Sequence, residues 1–238
     1  MTNDQLYDEK FYRGQKNPSL KSATEILPLV GEFVHPRSVV DIGCGVGGWL
    51  AVWQKFGAEI YGVDGDYVDR TQLFIDEKFF HPANLEKRVT LKRRFDLAMS
   101  LEVAEHLSPE RADSFVEDLT RLSDVILFGA AIPAQGGTGH VNEQWPSYWA
   151  QKFLHFGYVA VDCLRPKLWT NEAVEISRRQ NTFIYAKSTE LYRYPELQAH
   201  YLKYRDAQIL DVVHPKLWAL MIREFKDFYL SVQQQAKD

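Results

Sequence analysis

A glycine-rich segment followed by a distant acid is the feature of this sequence best suited to binding a ligand. It reads DIGCGVGG over residues 41–48 and lies between a predicted strand and a predicted helix. Glycines at such a bend let the backbone turn tightly and approach a ligand without a Cβ in the way. Asp64 stands at the end of the next predicted strand. A carboxylate there can accept hydrogen bonds from both hydroxyls of a ribose, which predicts a nucleotide-type ligand.

Two ligands compete for this segment. Gly43, Gly45 and Gly48 satisfy G-x-G-x-x-G, a pattern found at nicotinamide dinucleotide sites. Asp41, two residues before the first glycine, favours a different ligand, because a carboxylate repels a pyrophosphate and attracts the ammonium of an amino acid. S-adenosylmethionine has that ammonium, a positive sulfonium and no phosphate. Electrostatics therefore favours S-adenosylmethionine over a dinucleotide.

Two acids and two histidines form a second group with chemical potential. Glu102, Glu105 and His106 follow one predicted strand, and His140 follows the next. Spacings of three and four place the first three on one face if a helical turn begins here. Because parallel strands end at one edge of a sheet, His140 could reach the same cleft.

Two interpretations of this group stay open. In one, Glu102, Glu105, His106 and His140 hold a divalent ion, for which Mg²⁺, Mn²⁺, Fe²⁺ and Zn²⁺ are all suitable. In the other there is no metal, and His106 or His140 is the general base that takes the proton of an acceptor hydroxyl. Glu105 joins the two histidines as a catalytic candidate.

The elements that must position these residues alternate between strand and helix. Seven strands are predicted, at residues 38–42, 59–64, 74–80, 95–101, 125–128, 158–164 and 182–186. Helices are predicted within 1–36 and at 49–56, 108–122 and 146–156. This order predicts right-handed crossovers and an α/β fold with a mostly parallel sheet. We expect one domain over 1–187, with N-terminal helices or a lid at 1–36, and a helical extension over 188–238.

Several segments resemble one family. VVDIGCGVGGWL is similar to motif I of the class I S-adenosylmethionine-dependent methyltransferases, GVDGD to their second-strand motif, ANLE to their adenine-contacting turn and FDLAMSLEVAEHL to their fourth-strand motif. The resemblance implies a Rossmann-like, doubly wound sheet of seven strands in which the last strand is antiparallel. It also implies a set of cofactor-binding residues, which are Asp41, Gly43, Cys44, Gly45, Asp64, Gly65, Asn84, Leu85, Ser100, Leu101 and Glu102.

Further resemblances bear on the acceptor. GHVNEQWPSYWAQKFLHFGY and RRQN are similar to segments of bacterial methyltransferases associated with polysaccharide or glycan tailoring. They imply O-methylation of a sugar-containing small molecule or glycan precursor. The E-x-x-E-H pattern with a later histidine resembles the metal sets of small-RNA 2′-O-methyltransferases and ubiquinone-type catechol O-methyltransferases. A metal-assisted reaction at an RNA 3′ end, a catechol acceptor and a non-catalytic cofactor-binding protein are the alternatives.

Composition excludes several classes of protein. With 45% hydrophobic and 25% charged residues the chain is globular rather than disordered. A net charge of −4 gives no support to a global nucleic-acid footprint, although basic runs at 87–94 and 178–179 leave a local anionic contact open. Two cysteines exclude a disulfide framework and fit a reducing, cytoplasmic compartment. No apolar run approaches ~18 residues, so we expect no membrane span, and the polar, acidic start predicts no signal peptide.

Overall fold

The computed structural model describes residues 18–235. Its seven strands are β1 (Ser38–Ile42), β2 (Glu59–Asp64), β3 (Phe80–Pro82), β4 (Leu97–Leu101), β5 (Val125–Gly129), β6 (Tyr158–Val161) and β7 (Phe183–Lys187). Its helices are α1 (Pro18–Val34), α2 (Gly48–Lys55), α3 (Ala112–Leu122), α4 (Pro146–His155), α5 (Arg165–Leu168), α6 (Ile176–Asn181), α7 (Pro195–Tyr204) and α8 (Pro215–Gln235). The part of the predicted N-terminal helices or lid that precedes Pro18 lies outside the described residues.

The strands form one sheet in the order β3-β2-β1-β4-β5-β7-β6. All neighbours are parallel except β7, which runs antiparallel to both β5 and β6. The predicted Rossmann-like sheet with one antiparallel strand is therefore confirmed. The order reverses between β1 and β4, and open α/β sheets bind ligands at such a switch point.

Alternating strand residues build two cores. Val39, Met99 and Leu127 face one side, where α1, α2 and α7 pack, and their chain neighbours face the other side, where α3 and α4 pack. Both faces of the sheet are thus covered by helices. This is why its strands are nearly continuous apolar runs rather than alternating ones.

One local prediction was wrong, and the helical turn on which the shared face of Glu102, Glu105 and His106 depended does not form. The third strand, expected at 74–80, covers only Phe80–Pro82, because the preceding residues form 3₁₀ turns capped by the carboxylates of Asp69 and Asp76. The helical turn expected to begin at Glu102 is a 3₁₀ turn at Ala104–His106. Glu102 lies outside this turn with a left-handed φ of 57°. The spacing of three and four therefore does not put Glu102 on a common helical face with the other two residues.

The segment between α7 and α8 is tied to the body of the sheet. Arg165 donates to the carbonyls of Ile209 and Leu210 at 2.8 and 2.9 Å. The carboxylate of Asp211 caps α4 by accepting hydrogen bonds from the backbone and hydroxyl of Ser147. These contacts hold the start of α4, and with it the loop that precedes α4. Within residues 18–235, no helix has the length and apolar character needed to span a membrane.

Candidate active site

A cleft of about 1030 Å³ opens at the carboxyl ends of β1, β2 and β4. Its size suits a nucleoside-containing ligand. Eight of the predicted site residues line it: Gly43, Gly45, Asp64, Gly65, Asn84, Leu85, Glu102 and His106. Six others lie behind or beside it rather than on its wall: Asp41, Cys44, Ser100, Leu101, Glu105 and His140.

The glycine loop needs glycine for two separate reasons. Gly43, Gly45 and Gly47 all have positive φ angles, at 90°, 53° and 78°, which side chains strain. At Gly43 there is also no room, because a Cβ would lie 2.2 Å from Cγ2 of Val103. The backbone N–H of Gly43 donates to the carbonyl of Val63 at 2.7 Å and so fixes the loop against β2.

The Asp64 carboxylate is held rigidly at the end of β2. Its Oδ2 accepts a 2.6 Å hydrogen bond from the backbone N–H of Gly45, and its Oδ1 accepts one of 2.6 Å from that of Gly65. Oδ1 also accepts a 2.7 Å hydrogen bond from the hydroxyl of Tyr67, whose ring is exposed. Partial desolvation of its hydroxyl, followed by this contact with Asp64, raises the pKa of Tyr67 to about 12, so the phenol is the donor.

Tyr67 therefore occupies a lone pair that a ribose hydroxyl would use. The Tyr67→Phe variant should bind S-adenosylhomocysteine about 2- to 10-fold more tightly, because one net hydrogen bond no longer has to be broken. Titration calorimetry of the wild type and the variant measures this change. Weaker binding by Tyr67→Phe would mean instead that the hydroxyl supports the bound state.

Asp41 is a buried acid beneath the loop. Burial, followed by the charge of Asp64, raises its pKa to about 7, and the positive charge of Arg178 opposes that rise. In the free protein Asp41 is thus largely protonated below neutral pH. Only its carboxylate form attracts an ammonium group, and bound ammonium would favour that form in turn.

We expect the affinity for S-adenosylhomocysteine to increase as pH rises through about 7 and then to level off. An Asp41→Asn variant should bind more weakly and lack this dependence. The shift also means that Asp41 favours folding below its ordinary pKa of 3.8, and that this contribution is lost as pH rises to about 7. Calorimetry between pH 6 and 9 tests the first statement and thermal melts between pH 4 and 8 test the second, and an unchanged pH profile in Asp41→Asn would contradict them.

The residues of the predicted adenine turn and of the fourth strand differ in burial and in hydrogen bonding. The side-chain oxygen of Asn84 accepts a 2.9 Å hydrogen bond from the backbone of Glu86, so it caps its own turn. Leu85 is buried beside the cleft. Ser100 is fully buried, and its hydroxyl has no hydrogen-bond partner among the described residues. Cys44 is a buried thiol whose pKa is raised by burial, which makes it a small loop residue rather than a nucleophile.

Three of the four predicted acid and histidine residues come together. Ligand atoms of Glu105, His106 and His140 all lie within 4.8 Å of one another. The two imidazole rings meet edge to face with centroids 4.8 Å apart. Glu102 is separate, since its carboxylate accepts hydrogen bonds from the amides of Gln135 and Asn181 at 3.3 and 3.2 Å.

Glu105 is the unusual member of this cluster. It is fully buried, and within residues 18–235 neither carboxylate oxygen has a hydrogen-bond partner. Burial, followed by the charge of Glu102, raises its pKa to about 8. Burying a carboxylate without hydrogen-bond donors costs folding free energy, so this carboxyl group favours binding a proton, a cation or a donor group of a ligand.

Glu143 is a site residue that the sequence analysis missed. Its carboxylate accepts hydrogen bonds from the backbone of Ala134 and Gly136 and lies 2.8 Å from Nδ1 of His140. A carboxylate on Nδ1 leaves Nε2 as the basic nitrogen of the imidazole. The spacing of three residues was the available signal, but in a loop without helical periodicity it did not predict a contact.

Comparison with known proteins agrees with this geometry. A family model described as a methyltransferase domain matches residues 14–114. The "Probable tocopherol O-methyltransferase, chloroplastic" of Oryza sativa subsp. japonica is 33% identical over 99 residues, which are 37% of this chain and 26% of the relative. The tocopherol O-methyltransferase of Arabidopsis thaliana is 32% identical over 126 residues, 46% of this chain and 35% of the relative. The chain thus spans about a quarter to a third of the length of these relatives.

A solved structure shares the fold. The sugar N-methyltransferase KedS8 from Streptoalloteichus sp. superposes with a TM-score of 0.55 at 17% identity, covering 74% of this chain and 91% of that one. The sheet order and glycine loop define the class I methyltransferase fold. The domain match adds that residues 14–114 are similar to a methyltransferase domain, in agreement with the motifs.

Proposed function

We propose that this protein transfers the methyl group of S-adenosylmethionine to an oxygen of a sugar-containing molecule. One observation carries the proposal. The cofactor cleft and the Glu105–His106–His140 cluster share a wall, because His106 lines the cleft and also belongs to the cluster. A methyl donor in the cleft would lie beside groups able to take a proton. Two relatives are O-methyltransferases by name, which supports oxygen as the acceptor atom.

The reaction is an in-line displacement at the sulfonium methyl. The acceptor oxygen forms the new carbon–oxygen bond as the carbon–sulfur bond breaks, and S-adenosylhomocysteine leaves. The hydroxyl proton passes to an imidazole, for which Nε2 of His140, held by Glu143, is well suited. The rest of the protein supplies alignment, which can contribute about 7–11 kcal/mol of the barrier.

Groups on the acceptor side support a sugar. The backbone N–H groups of Val141 and Asn142 donate to the carbonyl of Glu105, so their loop wraps around the cluster. The side-chain nitrogen of Asn142 is buried without a partner among the described residues and is free to donate to a hydroxyl. Trp145 is partly exposed just before α4, where its ring can lie against a sugar face. Trp149 belongs to the core.

The same cluster fits a divalent metal, which is our second proposal. Glu105, His106 and His140 are suitable ligands, and the unpartnered carboxylate of Glu105 is the observation that favours an ion. When bound, the ion would hold acceptor oxygens and make one hydroxyl more acidic. Glu102, the fourth predicted ligand, is engaged by Gln135 and Asn181 instead.

The RNA-end alternative has less support. The arginines of the basic run at 87–94 are paired: Arg88 with Asp118, Arg93 with Glu59 and Arg94 with Asp124. Paired guanidinium groups release fewer counterions from a phosphate backbone than free ones.

A screen with labelled S-adenosylmethionine tests the function. We expect tight binding of S-adenosylhomocysteine and label in a sugar or nucleotide-sugar, rather than in catechols or short RNAs. Label found only in RNA or catechol would contradict the sugar assignment, and binding without turnover would favour a non-catalytic protein.

Removal of metal by a chelator, followed by addition of Mn²⁺ or Mg²⁺, tests the proposed metal site. Activity and metal content that both stay unchanged would contradict metal binding.

Glu143 should position His140. We expect Glu143→Gln to lower the turnover number about 10- to 100-fold while cofactor affinity stays the same, because a weaker acceptor no longer fixes the imidazole. Side-chain nitrogen NMR should show a changed tautomer balance at His140. Glu196→Gln, an exposed acid on α7, is the control. Unchanged turnover in Glu143→Gln would rule out this positioning role.

A further inference from the structure

Arg178, on the short helix α6, forms no ion pair with any of the described residues. Its guanidinium carbon lies 5.5 Å from the centroid of the Trp49 ring. Its Nε and Nη1 are buried and have no hydrogen-bond partner in the described part of the chain. Among residues 18–235, no carboxylate lies within 4.0 Å of it. Buried arginine donors in proteins nearly always have a hydrogen-bond acceptor, so Nε and Nη1 of Arg178 are available to an acceptor on a ligand.

The location of Arg178 limits which ligand group its guanidinium can contact. Trp49 is in the first turn of α2, which starts directly after the glycine loop. The charge of Arg178 is felt by Asp41 beneath that loop and by Glu105 in the acid–histidine cluster. Arg178 therefore lies near the start of α2, within electrostatic reach of Asp41, the acid assigned to the ammonium of methionine, and of the acid–histidine cluster.

Charge complementarity points to one group. S-adenosylmethionine carries two positive groups, the sulfonium and the ammonium, and a single negative one, the methionine carboxylate. Asp41 and Asp64 are acids and cannot bind that carboxylate. The half-buried Arg178 near Asp41 can, since guanidinium–carboxylate hydrogen bonds are among the strongest in proteins.

We propose that Arg178 binds the carboxylate of the methionine moiety of S-adenosylmethionine, with its guanidinium supported by the ring of Trp49. Asp41 and Arg178 would then bind the two charges of one amino-acid head from opposite sides. This inference rests on the proposed cofactor. An anionic acceptor, such as a sugar phosphate, offers similar chemistry and is the competing source of the anion.

The test measures the binding of two ligands to four proteins. The ligands are S-adenosylhomocysteine and S-adenosyl-3-thiopropylamine, which is the same molecule without its carboxylate. The proteins are the wild type, Arg178→Gln, Arg178→Lys and Arg205→Gln, an exposed arginine that controls for net charge. Calorimetry gives the dissociation constant of each pair, and circular dichroism checks that each variant is folded.

We expect Arg178→Gln to weaken S-adenosylhomocysteine binding about 10- to 100-fold and to leave binding of the decarboxylated ligand unchanged. Arg178→Lys should recover part of the loss, and Arg205→Gln should behave as wild type. Equal loss for both ligands, or no loss for either, would overturn the proposal. So would a normal dissociation constant accompanied by a raised KM for an anionic acceptor. If Arg178→Gln does not fold, the proposal still fails should the wild type bind both ligands equally. A wild type that binds neither ligand would instead contradict the proposed function.

Discussion

Replacing Gly43 with alanine should weaken S-adenosylhomocysteine binding by about 100-fold or more. The new methyl group would lie 2.2 Å from Cγ2 of Val103, and φ at this position is 90°. Because the loop is pinned to β2 through the N–H of Gly43, it cannot move without losing that hydrogen bond. A displacement of about 1 Å in a binding loop is enough to disrupt a positioned ligand. Calorimetry measures the affinity directly.

Gly57 is a matched control for this variant. It also has a positive φ, 84°, but a Cβ there would meet no atom within 4 Å. Gly57→Ala should therefore lower stability by about 1 kcal/mol, the cost of the left-handed backbone, and leave cofactor affinity intact. Equal losses of affinity in the two variants would mean that general destabilisation, and not the close approach to Val103, explains the Gly43 effect.

Replacing Glu105 with glutamine should reduce methyl transfer about 100- to 10,000-fold, since it removes the cluster's carboxyl group, which can give up or take a proton, and keeps its shape. Cofactor affinity should change little, because Glu105 does not line the cleft. Above pH 8 the variant should also unfold at a higher temperature, by about 2–4 °C for each kcal/mol recovered, since wild-type Glu105 is then a buried carboxylate without a hydrogen-bond partner among the described residues. Turnover assays and thermal melts measure the two effects.

Opposite changes in activity and stability would identify Glu105 as a functional residue rather than a core residue. Glu117→Gln, which removes a surface acid paired with Arg88 and Arg121, controls for lost charge. The metal content of the purified wild type and Glu105→Gln distinguishes a metal-binding role of the cluster from a proton-transfer role. Metal content should fall in Glu105→Gln only if Glu105 is a metal ligand. A Glu105→Gln variant that keeps full activity and unfolds at a lower temperature would contradict both the metal-binding role and the proton-transfer role.

The strongest predictions from sequence were those encoded locally. The backbone at 43–48 requires glycines, because several positions have a positive φ angle or no room for a side chain. Both are properties of single residues and can be recognised in the sequence. Strand β1 and the acid that ends β2 follow from short buried runs bounded by turns. The resemblance of these motifs to one family then gave the sheet order and its antiparallel strand.

Contacts between loops on different strands depended on the tertiary structure. Glu102 and Glu105 are three residues apart, yet the left-handed backbone at Glu102 takes it out of the turn that contains Glu105, and its carboxylate binds Gln135 and Asn181 instead. Glu143 meets His140 only because the loop between β5 and α4 folds back on itself, held by backbone donors from Ala134 and Gly136.

The class of fold, the glycine loop and its two acids could be predicted from periodicity and residue type, because these report backbone conformation and burial. Which distant groups meet depends on the packing of the folded chain. Arg178 lies far along the chain from Asp41 and Glu105, and only the packing of α6 over the carboxyl ends of the strands brings its charge near theirs. Such distances depend on how the whole sheet and its helices pack, and no local pattern of residues records them.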